Sequence, residues 1–400
     1  MLKTAMLNNV QARIAGLPVH VTLWDGGEAG HAESASVHIR LNSPAALTAF
    51  IKPTLGSLAR AYVEGEMDLD GNPRDVLALG SRLCSAELCR DSKGSDVWKW
   101  WRHTRSRDRK NIQYHYDISN DFYGLWLDAR RVYSCAYYRQ PDMTLEAAQE
   151  AKLDHICKKL ALKPGERFLD IGCGWGGLVF WAAEHYGVKA LGITLSDNQH
   201  DFVSARIKAL GLQDRVEVRV LDYRDVPETG CFDKIASIGM VEHVGRKNLT
   251  AYFRRIFDLL RPGGLLLNHG ITTAAPRSQG LGSGISEFVD EYVFPGGELE
   301  HVSEVMQHAT TGGLECLDAE NLRPHYARTL WEWVRRLDEK SEEARKLIGE
   351  RKYRIWRIYM AGSAHAFDQG WLELWQVLAG KPLAPGVQPN YPYRRDYIYC

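Results

Sequence analysis

Residues 168–177 read FLDIGCGWGG and decide the fold of this chain of 400 residues. Apolar and β-favouring residues lead into a glycine-rich turn, and the residues that follow, LVFWAAEHY, have the composition of a helix. Glycine allows a backbone to approach a ligand closely because it carries no Cβ. The stretch therefore predicts a strand, a glycine turn and a helix that cradle a nucleotide-like ligand.

Acidic residues near this turn separate two classes of ligand. A dinucleotide site requires an Asp or Glu about 20 residues after the glycines. The next strand, KALGIT, ends near Thr194 and Ser196 and has no acid before Asp197. Asp170 precedes the turn and Asp222 follows the strand VEVRVL, and such carboxylates attract a cationic sulfonium but repel a pyrophosphate. The pattern favours S-adenosylmethionine (AdoMet) over NAD(P), and a tight turn without a ligand is the plain alternative.

Composition restricts the class of protein. Fifty basic residues balance fifty acidic ones, so no global charge attracts the chain to nucleic acid. No apolar run is long enough to span a bilayer, and the first residues lack the core of a signal peptide. The eight cysteines have neither the pattern of a disulfide framework nor the spacing of metal ligands. We therefore expect a cytoplasmic protein without a metal and without a nucleic-acid partner.

Length and patterning predict two domains. The expected parts are an N-terminal α+β domain, a basic and aromatic linker, a catalytic domain and a tail, at residues 1–95, 96–115, 116–385 and 386–400. From residue 144 strands alternate with helices, the first of which begins at the N-cap residue Thr144. This alternation predicts a doubly wound, Rossmann-like α/β fold with a parallel sheet and its ligands at the carboxyl ends of the strands. Residues 330–376 read as two helices, with Trp371 and Trp375 on one face.

Two connecting segments have alternative interpretations. Residues 97–110 carry three tryptophans and six basic residues against one acid, which suits either a solvated linker or a patch that binds a membrane surface. The sequence SQGLGSG at 278–284 precedes Phe288, Tyr292 and Phe294, and it is either the hinge of a lid or a surface loop.

Several further segments resemble the cyclopropane-fatty-acyl-phospholipid synthase family, which includes the mycolic-acid cyclopropane synthases. The matching segments are YHYDISNDFYGLWLD, YSCAYY, LDIGCGWGG, GITLSDNQ, FDKIASIGMVEHVG, NHGIT and FVDEYVFPGGELEHVSEV. The likeness extends into the first 90 residues through RAYVEGEMDLDGNPRDVL. It implies a class I AdoMet methyltransferase domain preceded by a small phospholipid-binding domain. The implied activity is transfer of a methylene unit from AdoMet to a cis double bond of a phospholipid acyl chain.

The resemblance also implies how the reaction ends. The family forms a carbocation on the acyl chain, and its base is a bound bicarbonate ion. The residues implied around that ion are Cys135, Glu242, His269, Ile271 and Tyr326. His269 and Tyr326 would donate hydrogen bonds, Ile271 would offer its backbone N–H, and Glu242 would accept from the bicarbonate hydroxyl. Taken alone, Cys135 reads as a small buried hydrophobe and His269 as a core histidine.

A second set of residues is implied to contact AdoMet. Asp170 would hold the amino group, directly or through water, whereas Gln199 and Ser196 would replace the missing ribose acid with neutral hydrogen bonds. The full set is Tyr133, Ser134, Asp170, Gly172, Gly174, Trp175, Gly176, Thr194, Ser196, Gln199, Asp222, Tyr223 and Arg224.

The sequence departs from the family pattern at one position. The family often has a cysteine, labelled a nucleophile, where this chain has Ser363 in YMAGSAHAF. A serine without a base is a poor nucleophile, which argues against covalent catalysis and leaves a different product open. The alternatives are a fatty-acyl methyltransferase of the same fold that makes methyl-branched or methylene chains, and a lipid-binding protein with a vestigial AdoMet site.

The resemblance finally implies where the protein works. We expect a peripheral enzyme on the inner face of the membrane, with a bilayer of unsaturated phospholipids as its partner. A homodimer is expected because two adjoining lipid sites would raise avidity for a bilayer.

Overall fold

Two sheets, one of four strands and one of eight, organise the residues that the computed structural model describes, which are 2–84, 119–276, 281–389 and 391–399. The tryptophan-rich segment at 97–110 and residues 278–280 of the glycine-rich segment lie outside these ranges. Within them, no helix combines the length and the apolarity needed to cross a membrane.

The smaller sheet belongs to the N-terminal unit, residues 2–84, and has the order β2–β1–β3–β4. Its strands are β1 (Val19–Leu23), β2 (Glu28–Gly30), β3 (Val37–Leu41) and β4 (Met67–Gly71). Its helices are α1 (Leu2–Arg13), α2 (Pro44–Ile51), α3 (Leu55–Val63) and α4 (Pro73–Leu83). The expected α+β character is confirmed. Helix α2 ends at its C-cap Lys52, because the following Pro53 disfavours a helical conformation there, and Thr54 caps α3.

The larger sheet forms the centre of the catalytic unit, with the order β11–β12–β9–β8–β5–β6–β7 and with β10 paired to β9. Its strands are β5 (Arg167–Ile171), β6 (Lys189–Thr194), β7 (Val216–Val220), β8 (Phe232–Ile238), β9 (Leu260–Thr273), β10 (Glu300–His301), β11 (Glu315–Asn321) and β12 (Leu372–Gly380). Strands β5 to β9 are parallel and match the sequence expectation. The order in which strands are added reverses at β5, with β6 on one side and β8 on the other. Ligands of such folds bind at this switch point.

Helices cover both faces of this sheet. They are α5 (Asn120–Gly124), α6 (Leu145–Lys159), α7 (Gly177–Tyr186), α8 (Asp197–Leu210), α9 (Val241–Val244), α10 (Leu249–Leu259), α11 (Ile285–Tyr292), α12 (Val302–Thr311), α13 (Arg323–Glu339), α14 (Ser341–Ile348), α15 (Glu350–Asp368) and α16 (Asp396–Tyr399). The predicted start of α6 is confirmed, since the Thr144 side chain accepts a hydrogen bond from the Ala147 N–H at 3.3 Å.

The carboxyl-terminal part of the sheet corrects two expectations. Strand β12 runs antiparallel to both β9 and β11, so the sheet is mixed rather than purely parallel. Residues 330–376 are not two helices, because α13, α14 and α15 precede β12. Trp375 lies on that strand and Trp371 just before it, so they do not share a helix face.

The two units are joined by α11 and α15. Phe288, Tyr292 and Val293, in and just after α11, are buried in the hydrophobic core of the N-terminal unit. Arg354 on α15 donates hydrogen bonds to the Tyr62 carbonyl at 3.0 Å and to the Asp68 carboxylate at 2.7 Å. The helix that follows SQGLGSG therefore packs against the N-terminal unit, and the two interpretations of SQGLGSG itself, a hinge or a surface loop, stay predictions.

Candidate active site

A cavity of about 150 Å³ lies at the carboxyl ends of β5, β6 and β8. Eleven of the thirteen residues predicted to contact AdoMet line it: Tyr133, Ser134, Asp170, Gly172, Gly174, Trp175, Thr194, Gln199, Asp222, Tyr223 and Arg224. The walls also include Met240, two residues after β8, and His243 on α9, both of which sequence reasoning missed. The site predicted from scattered motifs is thus brought together in one place.

The glycine turn has two separate functions. Gly172 has a φ of 82°, and a Cβ there would lie 2.7 Å from the Met240 sulfur, so the turn requires glycine. Gly176, one of the two predicted AdoMet contacts missing from the described cavity wall, has a φ of 83° and is the N-cap of α7. A Cβ on Gly176 would lie 2.6 Å from the Phe180 ring. Gly176 therefore allows α7 to pack closely at the start of the helix.

Ser196 is the other predicted contact that the described wall lacks. Its side chain accepts a hydrogen bond from the Gln199 N–H at 3.3 Å and begins α8. The Gln199 side-chain oxygen, Oε1, in turn accepts from the Thr194 hydroxyl at 2.8 Å. Ser196 and Thr194 therefore fix the position of Gln199, which faces the cavity.

Asp170 gives the cavity its electrostatic character. The side chain is buried, and its Oδ1 has no hydrogen-bond partner within the described residues. Burial raises the pKa of Asp170 to about 7, although the nearby Lys152 ammonium opposes this shift. Burial likewise lowers the pKa of Lys152 to about 8, and its Nζ donates to the Ser134 hydroxyl at 2.8 Å. A buried carboxylate with an unsatisfied oxygen fits the amino group of AdoMet.

Asp222 and Arg224, which follow β7 and also line the cavity, form an ion pair. Arg224 donates to Asp222 through its backbone N–H at 2.9 Å, through Nε at 2.8 Å and through Nη2 at 2.6 Å. The Arg224 guanidinium is therefore bound to Asp222, and this ion pair competes with its predicted contact to AdoMet.

A second cavity of about 670 Å³ meets the first. The residues that line both cavities are Tyr133, Ser134, Gly239 and His243. Four of the five predicted catalytic residues, Glu242, His269, Ile271 and Tyr326, also line the larger cavity. Most of the remaining wall is apolar. The predicted catalytic residues thus line the cavity that adjoins the proposed AdoMet site.

Glu242 lies on α9 and is buried. Its Oε1 accepts a hydrogen bond from the Ile271 N–H at 2.7 Å, whereas its Oε2 has no partner within the described residues. Burial raises the pKa of Glu242 to about 7, and the hydrogen bond from Ile271 limits this rise. The Ile271 amide, predicted to bind the bicarbonate ion, thus donates its hydrogen bond to the Glu242 carboxylate in this structure.

His269 lies beside Gln376, which faces it across the pairing of β9 with β12. The Gln376 Nε2 lies 3.2 Å from the His269 Nδ1, while the His269 Nε2 is buried without a partner in the described ranges. Burial lowers the pKa of His269 well below its usual value, so the ring is neutral. When Gln376 donates to Nδ1, the proton of the ring sits on Nε2, which can donate to a ligand. Sequence reasoning missed Gln376 because β12 was read as a helix.

Cys135 is the predicted catalytic residue that the described cavity wall lacks. It is fully buried, and its Sγ contacts the Ala136 carbonyl at 3.1 Å. Burial raises the pKa of its thiol well above the usual value, so no thiolate forms at neutral pH. The Cys135 side chain therefore behaves as a small buried hydrophobic group, the alternative that its residue type alone suggests.

Ser363 and one unpredicted tyrosine lie on the same wall. Tyr359 and Ser363 are one turn apart on α15, and the Tyr359 side chain is hydrogen-bonded to both Ser363 and Tyr133. Tyr359 gave no sequence signal, because it has the spacing of an ordinary core residue on a helix.

Within the described residues, no group of three or more His, Cys, Asp or Glu side chains could hold a metal ion.

Comparisons with known proteins agree with this geometry. The family model described as mycolic acid cyclopropane synthetase matches residues 103–377, and a domain of unknown function matches residues 6–85. A "Probable fatty acid methyltransferase" of Pseudomonas putida is 43% identical over 383 residues, covering 96% of each chain. The "Cyclopropane-fatty-acyl-phospholipid synthase" of Escherichia coli (strain K12) is 37% identical over 274 residues, covering 68% of each chain.

Solved structures give the same result. The cyclopropane synthase MmaA2 from Mycobacterium tuberculosis has a TM-score of 0.65 and 35% identity, covering 68% of this chain and 98% of that chain. The mycolic acid cyclopropane synthase CmaA1, solved with SAH and CTAB, has the same TM-score, identity and coverage. This chain belongs to the mycolic acid cyclopropane synthetase family and is an AdoMet-dependent methyltransferase.

Proposed function

We propose that this enzyme transfers one carbon from AdoMet to a cis double bond in an unsaturated phospholipid acyl chain and closes a cyclopropane ring. The observation that carries the proposal is the junction of a small polar cavity with a large apolar one at Tyr133, Ser134 and Gly239. Such a junction lets a hydrocarbon chain pass the methyl donor while water is excluded. The names of the relatives from Pseudomonas putida and Escherichia coli support a fatty-acyl substrate.

When bound, AdoMet supplies a methyl group to the double bond, and the acyl chain carries a positive charge until one proton leaves. Asp170 and Gln199 would hold AdoMet at the junction, and Trp175, whose Nε1 donates to Asn120 at 2.7 Å, would form one wall beside it. The ring faces of Tyr133 and Trp175 would stabilise the cation by up to about 2 kcal/mol.

A bicarbonate ion is the proposed proton acceptor. Two polar atoms of residues that line the large cavity, Glu242 Oε2 and His269 Nε2, are buried without a partner within the described residues. A small oxyanion with one hydroxyl would satisfy both, by accepting from His269 Nε2–H and donating to Glu242 Oε2. Tyr326 lines the same cavity and would be a further donor. Ile271 would act indirectly, by fixing Glu242.

A methyl-branched or methylene chain is the second candidate product, and the name of the Pseudomonas putida relative favours it. A saturated branch requires a hydride donor in addition to AdoMet. Ring closure and methylene formation require only the loss of a proton. The proposed bicarbonate site at Glu242 and His269 therefore supports ring closure over the saturated branch, and it argues against a vestigial site.

The product decides between these candidates. Purified enzyme is incubated with AdoMet and phospholipid vesicles, and the released acyl chains are analysed by mass spectrometry and proton NMR. The proposal requires a gain of one CH₂ together with the upfield proton signals of a cyclopropane ring. A gain of one CH₂ with vinylidene protons, or a methyl doublet without either signal, would contradict it in favour of the second candidate.

Peripheral binding to the inner membrane face is proposed from the sequence at 97–110. Each cation near an anionic surface contributes about 1 kcal/mol, so the segment's arginines together would contribute a large part of the binding energy. We expect weaker binding to anionic vesicles, by on the order of 10³-fold at low salt, when four arginines are replaced by glutamine. These arginines are Arg102, Arg105, Arg107 and Arg109.

Co-sedimentation with vesicles over a salt series measures this effect. The matched control replaces four exposed cations of the catalytic unit: Lys189, Lys208, Arg215 and Lys340. Equal loss of binding in both variants would show that net charge alone matters, and no loss in either would return the segment to the status of a linker. The same preparations give the oligomeric state by sedimentation, where we propose a homodimer.

A further inference from the structure

We propose that the hydrophobic core of the N-terminal unit binds the methyl-terminal segment of the acyl chain, and so selects the position of the double bond that is modified. This inference rests on the proposed function and gives a specific role to residues 6–85, whose matching family model is described as a domain of unknown function. It names a binding site inside that unit, and its ligand is a saturated hydrocarbon tail.

The larger cavity reaches deep into the N-terminal unit. Residues from β3, β4, α2, α3 and α4 line it: Val37, Ile39, Phe50, Leu55, Leu58, Met67, Leu69, Val76, Leu79 and Leu83. All of them are apolar, and most are buried, with Phe50 fully inaccessible. Cavities in well-packed protein cores are normally small, so a core that continues an active-site cavity is suited to a ligand.

The charged part of the wall lies elsewhere. Arg246 and Lys247 follow α9, are exposed and line the same cavity. Because the exposed part of the wall is charged and the N-terminal part is apolar and buried, the cavity has an open polar side and a closed apolar side. A phospholipid would therefore keep its headgroup at this open, charged side, where Arg246 pairs with Glu300, and extend its methyl end into the N-terminal unit.

The distance between the active site and this closed end is fixed by contacts between the two units. Leu77 of α4 and Tyr359 of α15 pack against both hydrophobic cores. Ser81 on α4 lies 2.8 Å from the His365 Nε2, and His365 lines the cavity. These contacts fix the N-terminal core relative to Glu242. The part of the acyl chain beyond the double bond must therefore fit a cavity of set length.

Gly80 offers a direct way to shorten that space. It lies inside α4 on the face shared by Val76, Leu79 and Leu83, and it lines the cavity. Glycine inside a helix costs about 1 kcal/mol relative to alanine, so helix stability does not explain its presence. A Cβ on Gly80 would meet only Leu55, at 3.4 Å. Alanine therefore fits there, whereas leucine would project into the cavity.

The test compares three acyl chains in otherwise identical phosphatidylglycerol vesicles. Palmitoleoyl and cis-vaccenoyl chains have the same segment beyond the double bond and differ on the carboxyl side. Palmitoleoyl and oleoyl chains share the carboxyl side, and oleoyl is longer beyond the double bond. The wild-type enzyme should treat palmitoleoyl and cis-vaccenoyl chains alike. Gly80→Leu should lower the rate with oleoyl relative to palmitoleoyl by at least about tenfold, and Gly80→Ala should not change that ratio.

The variant Phe50→Leu tests the same idea in the opposite direction. It enlarges the closed end, so the rate with oleoyl should rise relative to palmitoleoyl, and it decides the matter if Gly80→Leu does not fold. AdoMet titration of each variant reports whether the catalytic unit is intact. No carbon transfer to any chain by the wild type would overturn the proposed function itself. Transfer that groups palmitoleoyl with oleoyl, or variant ratios equal to wild type, would overturn only the role of the N-terminal unit.

Discussion

Replacing Glu242 by glutamine is expected to reduce turnover by on the order of 10²–10⁴-fold, the range typical of a lost general base, because the proposed base, bicarbonate, would lose the carboxylate that orients it. Glutamine keeps an oxygen that can accept from the Ile271 N–H, which lies 2.7 Å from Oε1 in the native protein. The other carboxylate oxygen, Oε2, becomes an amide nitrogen that donates hydrogen bonds and cannot accept a proton. The local structure is thus preserved while the proposed chemistry is lost.

Single-turnover rates and calorimetric AdoMet titrations separate the two effects. AdoMet affinity should stay at the wild-type value, because Glu242 lines the larger cavity and is absent from the described wall of the smaller one. Glu287→Gln, which neutralises an exposed carboxylate on the same wall, is the matched control and should keep its activity. A loss of AdoMet binding as large as the loss of turnover would contradict the assignment.

The pH profile gives the same assignment a second readout. The pKa of Glu242 is raised to about 7 by burial, so the group is protonated below that pH and ionised above it. If the ionised form is needed to hold the bicarbonate hydroxyl, the single-turnover rate rises with pH through about 7. This rise should be absent from Glu242→Gln.

Replacing Asp170 by asparagine is expected to weaken AdoMet binding by about 10- to 150-fold, the equivalent of one hydrogen bond to a charged group. The wild-type carboxyl has a pKa raised to about 7 in the ligand-free protein. An ammonium group nearby favours the ionised form and lowers this pKa. Binding below pH 7 must therefore release a proton, and affinity should fall as the pH falls.

Calorimetry at pH 6 in two buffers of different ionisation enthalpy measures that proton. Wild type should release a proton on binding, whereas Asp170→Asn should release none and should lose the pH dependence of affinity. Asp201→Asn, at an exposed side chain on α8, is the control. Proton release that persists in Asp170→Asn would assign the titrating group to another residue.

Local signals explain what the sequence could predict. The glycine turn, the strands β5 to β9 and the cap at Thr144 are encoded by residues that lie close together in the chain, so their structure follows from pattern. The AdoMet residues cluster because parallel strands end at one edge of the sheet. Eleven of thirteen therefore line one cavity, and the remaining two, Gly176 and Ser196, shape the backbone beside it.

Long-range pairing explains what the sequence could not predict. Strand β12 follows α15 after a short turn and is rich in large residues, so it has no local pattern that separates it from a helix. Its identity comes from pairing with β9, and that pairing also places Gln376 beside His269. The burial of Phe288 and Tyr292 in the N-terminal core likewise depends on a contact between residues far apart in the chain. The orientation of the Cys135 thiol is a third example.

The burial of α11 in the N-terminal core has a consequence for how this architecture can evolve. The solved relative MmaA2 corresponds to 68% of this chain and 98% of its own length, so its sequence has no counterpart for much of the remainder. A chain of this architecture without its first 84 residues would expose an apolar patch made of Phe288, Tyr292 and Val293. A shortened form of this architecture therefore requires polar substitutions on that helix as well, because the uncovered apolar side chains would otherwise promote aggregation.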